Sequence, residues 1–220
     1  MTGTGVVDAV LFDLGQVLVR WDPYLAFVGH YPRTEVEAFF AEIDFMAFNH
    51  LQDAGRSWAD ARAALARSHP HRLPMLDCYV ENFAAAVPGP VHGADGTVDD
   101  LRAVGVRVFG LSNWSAQTYP LAPVTAPVVA RLGGVLVSGE EGIAKPDAAV
   151  FELAITRFGL ARNRTVFTDD SLPNVEAAGR VGLLTEHFTD HRTLRGRLRE
   201  RGIQLPIRSD EDAGMSDQAT

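Results

Sequence analysis

Residues Val7–Val19 read VDAVLFDLGQVLV: seven are Val or Leu, Asp8 stands near the start, a second carboxylate, Asp13, sits in the middle, and Gly15 follows two residues later. A short apolar run rich in β-branched residues is the mark of a buried strand. When no alternation with polar residues interrupts it, the strand is buried on both faces, as in the centre of a parallel sheet. AVLF is therefore expected to deliver Asp13 rigidly to the sheet's carboxyl edge. The following VLV continues into the next turn.

Further strand-like runs fall at Val106–Leu111, Gly134–Val137 and Thr165–Thr168, with a weaker one near Leu183–His187; the first begins at Val6. Helical patterns alternate with them at Thr97–Val104, Ala148–Phe158, Asn174–Val181 and His191–Arg201. Strand–helix alternation predicts a doubly wound α/β fold with helices on both faces of a parallel sheet. The alternation breaks once. From Trp21 to Pro88 the pattern is helical throughout, over Pro23–Val28, Arg33–Phe45, Ser57–Arg67 and Leu73–Ala86, with Ser57 and Asp60 placed as a capping box. This predicts an all-helical insertion, with the Pro/Gly-rich VPGPVHGADG (Val87–Gly96) as its return linker. The acidic, aperiodic stretch after Pro206 is expected to be disordered.

Composition removes several function classes. A formal net charge of -8 argues against a nucleic-acid partner, which requires a basic face. No apolar run approaches the roughly 18 residues of a membrane span, and the N-terminus lacks the pattern of a secretory signal. Cys78 is the only cysteine, so an intrachain disulfide is excluded and a cytoplasmic location is expected. The twenty basic residues comprise nineteen arginines and one lysine, Lys145. Arg and Lys are not interchangeable where a compact point charge is needed, which singles out that position. The sequence sets no oligomeric state.

Four short motifs fall at strand ends, where an open parallel sheet binds its ligands. Asp13 follows VLF; an acid there is ordinary turn chemistry, or else a nucleophile or metal ligand. Ser112 and Asn113, in GLSNW, are common turn residues that can also donate hydrogen bonds to anionic oxygens. Lys145 lies in GIAKPD, where Pro146 suits the first turn of a helix and the ammonium suits a carboxylate or phosphoryl oxygen. Asp169 and Asp170, in VFTDDSLPNVEAAG with Ser171 and Asn174, include capping residues. Two adjacent carboxylates nonetheless repel unless a cation or strong donors compensate them. Mg2+ takes oxygen ligands, commonly one or two carboxylates plus substrate phosphate, so Asp13 and Asp170 together suit it.

In their order and placement, FDLGQVL, LSN, KPD and TDDSLPNVEAA resemble the four motifs of the haloacid dehalogenase-like (HAD) hydrolase superfamily, over roughly Val6–Phe188. The resemblance implies a Rossmann-like core from residues 1–20 and 89–206, a helical cap at 21–88 and a tail at 207–220. It implies that Asp13 is the nucleophile, forming a covalent aspartyl intermediate that water hydrolyses. Ser112 and Lys145 would bind the transferred group, and Lys145 would keep Asp13 ionised. Asn113 would orient nucleophile or substrate. Asp13, the Gly15 carbonyl, Asp169 and Asp170 would hold Mg2+. The implied partner is a small phosphorylated metabolite, and DLGxV resembles the first motif of sugar-1-phosphate-phosphatase-like members.

One position departs. Family phosphatases carry a second Asp two residues after the nucleophile, and here Gly15 stands there. A positioned acid contributes about 10²–10⁴-fold. Three readings follow: a Mg2+-dependent phosphatase, a metal-independent 2-haloacid dehalogenase whose leaving halide needs no proton, or a binding protein without turnover. Asp22 and His30 are the candidate substitute acids on the cap side. Substrate identity is expected to lie with cap side chains such as Trp21, Tyr24, Phe45, Phe48, Asn49 and His50.

Overall fold

All four residues of β1 (Ala9–Phe12) are fully buried, and β1 occupies the middle of the sheet. The structure, a computed structural model, describes residues 6–208. From β1 the chain runs through β2 (Val19–Arg20) into helices α1 (Arg33–Ile43), α2 (Phe45–Asp53), α3 (Trp58–Ser68) and α4 (Leu73–Glu81), and returns along β3 (Gly89–Pro90). It continues as α5 (Ala94–Ala103), β4 (Arg107–Ser112), α6 (Ala122–Thr125), β5 (Val135–Val137), α7 (Ser138–Glu141) and α8 (Ala148–Phe158). It finishes as β6 (Thr165–Asp169), α9 (Leu172–Arg180), β7 (Leu184–His187) and α10 (His191–Glu200).

Five parallel strands form one sheet in the order β5-β4-β1-β6-β7. Successive β1 side chains point to opposite faces. Val10 and Phe12 join the core beneath α5 and α10, whereas Ala9 and Leu11 pack with Phe151 of α8 and Ala177 of α9. Both faces are thus covered, the doubly wound α/β architecture that the alternation predicts. The chain passes from β1 outward to β4 and β5 on one side and then returns to β6 and β7 on the other, so it reverses direction across the sheet at β1. The crevice of such a switch point opens at the carboxyl ends, where Asp13, Ser112 and Asp169–Asp170 lie.

The segment between β2 and β3 is helical, as expected, with differences that matter for the site. Arg33–Phe45 is expected to be one helix. Instead Asp44 adopts a left-handed conformation (φ 47°), ending α1 and capping α2 by accepting from the Ala47 N–H. Asp is among the few residues that tolerate this region. The result is an additional helix, α2. Leu73–Ala86 likewise divides at Asn82, whose side chain donates to the Cys78 carbonyl, leaving Phe83–Ala86 as a 3-10 turn. Ser57 caps α3 as read: its Oγ accepts from the Asp60 N–H at 3.0 Å and donates to the Asp60 carboxylate at 2.6 Å. The helices close around Tyr79, fully buried, with Phe27, Phe45, Trp58 and Phe83 packed against its ring.

Val87–Gly96 is more structured than a linker. Gly89–Pro90 pairs antiparallel with Val19–Arg20, so the outgoing and returning chains share a two-stranded stem, and α5 already starts at Ala94. Within the stretch expected to be a tail, Arg208 is anchored on Asp100 by two 2.8 Å bonds; residues 209–220 lie outside the described residues. Among the described residues no helix is long and apolar enough to cross a membrane.

Buried His191, at the start of α10, donates from Nε2 to the Val17 carbonyl at 2.8 Å, fastening α10 to the turn after β1. Burial pushes its pKa down to about 4, against the pull of the Val17 carbonyl and Asp190. Between pH 6.5 and about 4 the unfolded chain binds a proton that the folded chain refuses. This contribution is therefore complete above pH 6.5 and is lost as pH falls toward 4. Urea unfolding of wild type should lose about 2 kcal/mol more than His191→Gln on going from about pH 7 to about pH 5. Groups titrating in both proteins cancel from that difference, and equal losses would exclude His191 as the source.

Candidate active site

The strand β1 brings Asp13 to the carboxyl edge, where its N–H donates to the Thr168 carbonyl at 2.9 Å. Lys145, reaching in from the loop before α8, is fully buried with it. Its Nζ donates to Asp13 Oδ1 at 2.7 Å, Asp169 Oδ2 at 2.7 Å and the Leu111 carbonyl at 2.9 Å. An ammonium has three protons, and each has an acceptor. Asn113 sets the position of this lysine: its Nδ2 donates to the Lys145 carbonyl at 2.9 Å and its Oδ1 accepts from the Lys145 N–H at 2.8 Å. Asn113 also lines the adjoining cleft, with its amide already engaged.

The two acids at the end of β6 divide their surroundings. Asp169 is buried and accepts from Lys145, from the Ser171 N–H at 2.8 Å and from Asn174 Nδ2 at 3.0–3.1 Å. Asp170 points outward and is exposed. Oxygens of Asp13, Asp169 and Asp170 nevertheless all lie within 4.8 Å of one another. Burial pushes the Asp13 carboxyl up to about 7, with Lys145 pulling it down and Asp169 and Asp170 pushing it further up. Burial and Asp169 raise Asp170 as well. Burial alone would lower the Lys145 ammonium, but Asp13 and Asp169 outweigh it and raise it. Three carboxylates around one ammonium leave an excess of negative charge at a desolvated edge, a donor set that suits a hard divalent cation.

At the end of β4, the buried Ser112 Oγ has no hydrogen-bond partner among the described residues. A buried orphan hydroxyl at a strand end is suited to an anionic oxygen of a ligand. Gly15 leaves open space, since a Cβ built there meets nothing within 4 Å. Gly15 and Asn113 border a cleft of about 80 Å³ whose far wall comes from the helical segment. Trp21, Trp58, Phe83 and Trp114 give the cleft apolar walls, and Asn49 and Asp53 of α2 add polar groups.

Among the residues expected to contact substrate, Trp21 and Asn49 line this cleft. Phe45 is buried against Phe40, and Tyr24 and Phe48 lie under the guanidinium groups of Arg33 and Arg56. His50 is exposed. Of the candidate acids, Asp22 caps the 3-10 turn at Pro23–Phe27 through the Tyr24 N–H, and His30 is exposed. Asp53 is the acid in the cleft, and the sequence reading misses it with the helix that carries it. The available signal was an Asn49–Asp53 pair at helical spacing, with an acid at a helix C-terminus where the macrodipole disfavours it.

The chain belongs to the haloacid dehalogenase-like hydrolase family, whose model matches residues 7–182. It is 31% identical over 91 residues to the sesquiterpene phosphatase astK of Aspergillus oryzae, covering 41% of this chain and 46% of that protein. The chain spans less than half the length of the curated relatives it matches. The HAD family enzyme bt-2542 of Bacteroides thetaiotaomicron, solved with magnesium and inorganic phosphate, shares the fold at 20% identity and a TM-score of 0.66, covering 84% of this chain and 95% of that one. L-2-haloacid dehalogenase from Xanthobacter autotrophicus does so at 16% identity and 0.61, covering 81% and 76%.

Replacing Lys145 by Met strands two buried carboxylates without a counter-charge. Chemical denaturation near pH 7 should show a loss of about 3–5 kcal/mol. The deficit should shrink as pH falls, because the freed acids then take up protons. A stable, pH-insensitive variant would mean that the ammonium is not what compensates them.

Proposed function

We propose that this protein is a Mg2+-dependent phosphatase of a small phosphorylated metabolite, acting through an aspartyl-phosphate on Asp13. The observation that carries this reading is the Lys145 ammonium, which binds one oxygen of Asp13 at a sheet edge that also carries the unpartnered Ser112 hydroxyl and the exposed Asp170. Residues 1–20 and 89–206 form the catalytic core on this reading, and residues 21–88 are a cap over it.

Asp13, Asp170 and the Gly15 carbonyl would hold Mg2+, with Asp169 fixing Lys145 behind them. The ion supplies charge neutralisation of the phosphoryl oxygens and the carboxylates. The free Asp13 oxygen attacks phosphorus as the bond to the leaving alcohol breaks. Ser112 donates to a phosphoryl oxygen, while the Lys145 ammonium, its three protons held by Asp13, Asp169 and the Leu111 carbonyl, stabilises through its charge what spreads over those oxygens in the transition state. Water then attacks phosphorus, releasing inorganic phosphate and restoring the Asp13 carboxylate. Four aromatic walls match an apolar leaving alcohol, and the similarity to a sesquiterpene phosphatase supports the same class.

The second reading is a 2-haloacid dehalogenase, in which halide leaves unprotonated, no metal is needed and no acid is required at position 15. The acidic pair at the end of β6 favours the phosphatase, since a metal-free enzyme for an anionic substrate gains nothing from Asp170. The two separate in one assay over phosphate monoesters and 2-haloacids, with Mg2+ or with EDTA. Expected is phosphate release that EDTA abolishes and that falls at least about 1,000-fold in Asp13→Asn. Halide release indifferent to EDTA would replace this reading with the dehalogenase.

Lys145→Arg keeps the charge but offers a planar fork where three acceptors surround a point. Initial rates should fall at least about 100-fold. Near-wild-type turnover would remove Lys145 from the transition state.

A further inference from the structure

A phosphatase with glycine two residues after its nucleophile lacks the nearby carboxylic acid that would protonate the departing oxygen. We propose that Asp53, brought in on the helical segment, supplies that proton; the proposal rests on the phosphatase reading above.

The geometry has three parts. First, Asp53 and Gly15 line the same cleft, and the space at Gly15 that a side chain would fill is open. Second, Asp53 is held at both ends of the residue. Its carboxylate accepts from the Ser115 N–H and from Asn49 Nδ2 at 3.2 Å, and its carbonyl accepts from the Ser138 hydroxyl. Ser138 also accepts from the Trp114 N–H at 3.1 Å, so the loop after β4 and the start of α7 together fix Asp53 relative to Asp13. Third, Asp53 has no salt-bridge partner among the described residues, and it lies near enough to Lys145 to feel its charge.

Its protonation state suits the role. Burial pushes the Asp53 carboxyl up to about 7, against the opposing pull of Ser115, Asn49 and Lys145. The other titratable group coupled to it is Tyr79 of α4, whose hydroxyl is raised mainly by burial and further by Asp53 itself. Lys145 is the charged group that acts on it; Glu140 and Glu141 of α7 and Glu42 of α1, on helices packed against α2, are not among the groups that shift it. An acid poised near neutrality combines availability of the proton with willingness to release it.

The proton balance closes over one turnover. As the phosphorus–oxygen bond of the ester breaks, the Asp53 carboxyl gives its proton to the departing oxygen and becomes a carboxylate. In the second half, water bonds to phosphorus through its oxygen while Asp13 departs, and the proton lost by that water returns to Asp53. One water is consumed; alcohol and phosphate leave.

Leaving-group dependence separates a proton donor from a residue that merely shapes the cleft. The full chain, wild type and Asp53→Asn, is assayed in Mg2+ with 2-phenylethyl phosphate, whose alkoxide needs a proton, and with p-nitrophenyl phosphate, whose phenolate does not. The parameter kcat/KM reports the steps through departure of the alcohol, so hydrolysis of the intermediate does not enter. In Asp53→Asn it should fall about 100-fold or more on the alkyl ester and less than about 5-fold on the aryl ester. The alkaline limb of the alkyl-ester pH profile, present in wild type, should be absent. The ratio of the two esters within one variant is independent of how much protein is folded. Equal losses on both esters, or no loss on either, overturn the role of Asp53 while the phosphatase reading stands. Wild-type protein releasing phosphate from neither ester overturns both.

Discussion

The placement of one buried ammonium governs the carboxyl edge of this sheet. Lys145 touches the ends of three adjacent strands at once: Asp13 after β1, the Leu111 carbonyl on β4 and Asp169 on β6. Removing an ammonium and two carboxylates from water costs several kcal/mol per ion, so such a cluster is weak evidence for net stability. What it secures is position. Each proton has one acceptor at 2.7–2.9 Å, and Asn113 grips the lysine backbone from the other side, so the ammonium has no alternative arrangement. This explains why lysine stands here in a chain that otherwise uses only arginine. A guanidinium presents its donors in a plane, and these acceptors approach from three strands.

The same cluster separates two acids adjacent in sequence. Asp169 spends its oxygens on Lys145, Asn174 and the Ser171 N–H, which makes it part of the frame. Asp170 faces outward with its carboxylate free for ligation. One ammonium against three carboxylates leaves the edge short of positive charge, and the unpartnered Ser112 hydroxyl leaves it short of an acceptor. A cation and a phosphoryl group answer both deficits together, which is why they are proposed as a pair.

Much of this was legible in the sequence because strand ends are set by local chemistry. A short run rich in apolar and β-branched residues between turn signals reads as a buried strand, and the polar residue that ends it then lies at the edge; Asp13, Ser112 and Asp169 were placed in that way. The helical segment was legible only in outline. Arg33–Phe45 carries neither Gly nor Pro to signal a break, and Asp44 takes the left-handed conformation that divides it through a tertiary preference that periodicity does not encode. Missing that break meant missing α2, and with it Asp53. The pairing of Gly89–Pro90 with Val19–Arg20 escaped for a similar reason: two-residue strands leave no pattern, and Pro and Gly ordinarily argue against one.

Asp53 also shows why a residue can be poorly placed for folding and well placed for chemistry. It ends α2, where the helix dipole opposes a negative charge, and it is partly desolvated; both effects favour the neutral acid. A carboxyl on the strand-end turn, as an acid at position 15 would be, stays available whether or not the helices cover the site. A carboxyl on α2 is in place only when Ser138 and Ser115 hold the helix against the core. On this reading, moving the acid from the core to the helical segment ties the proton to closure of the cleft. The leaving oxygen is then protonated only where the aromatic walls have already excluded bulk water, and the glycine beside Asp13 leaves room for the alcohol that must fit between them.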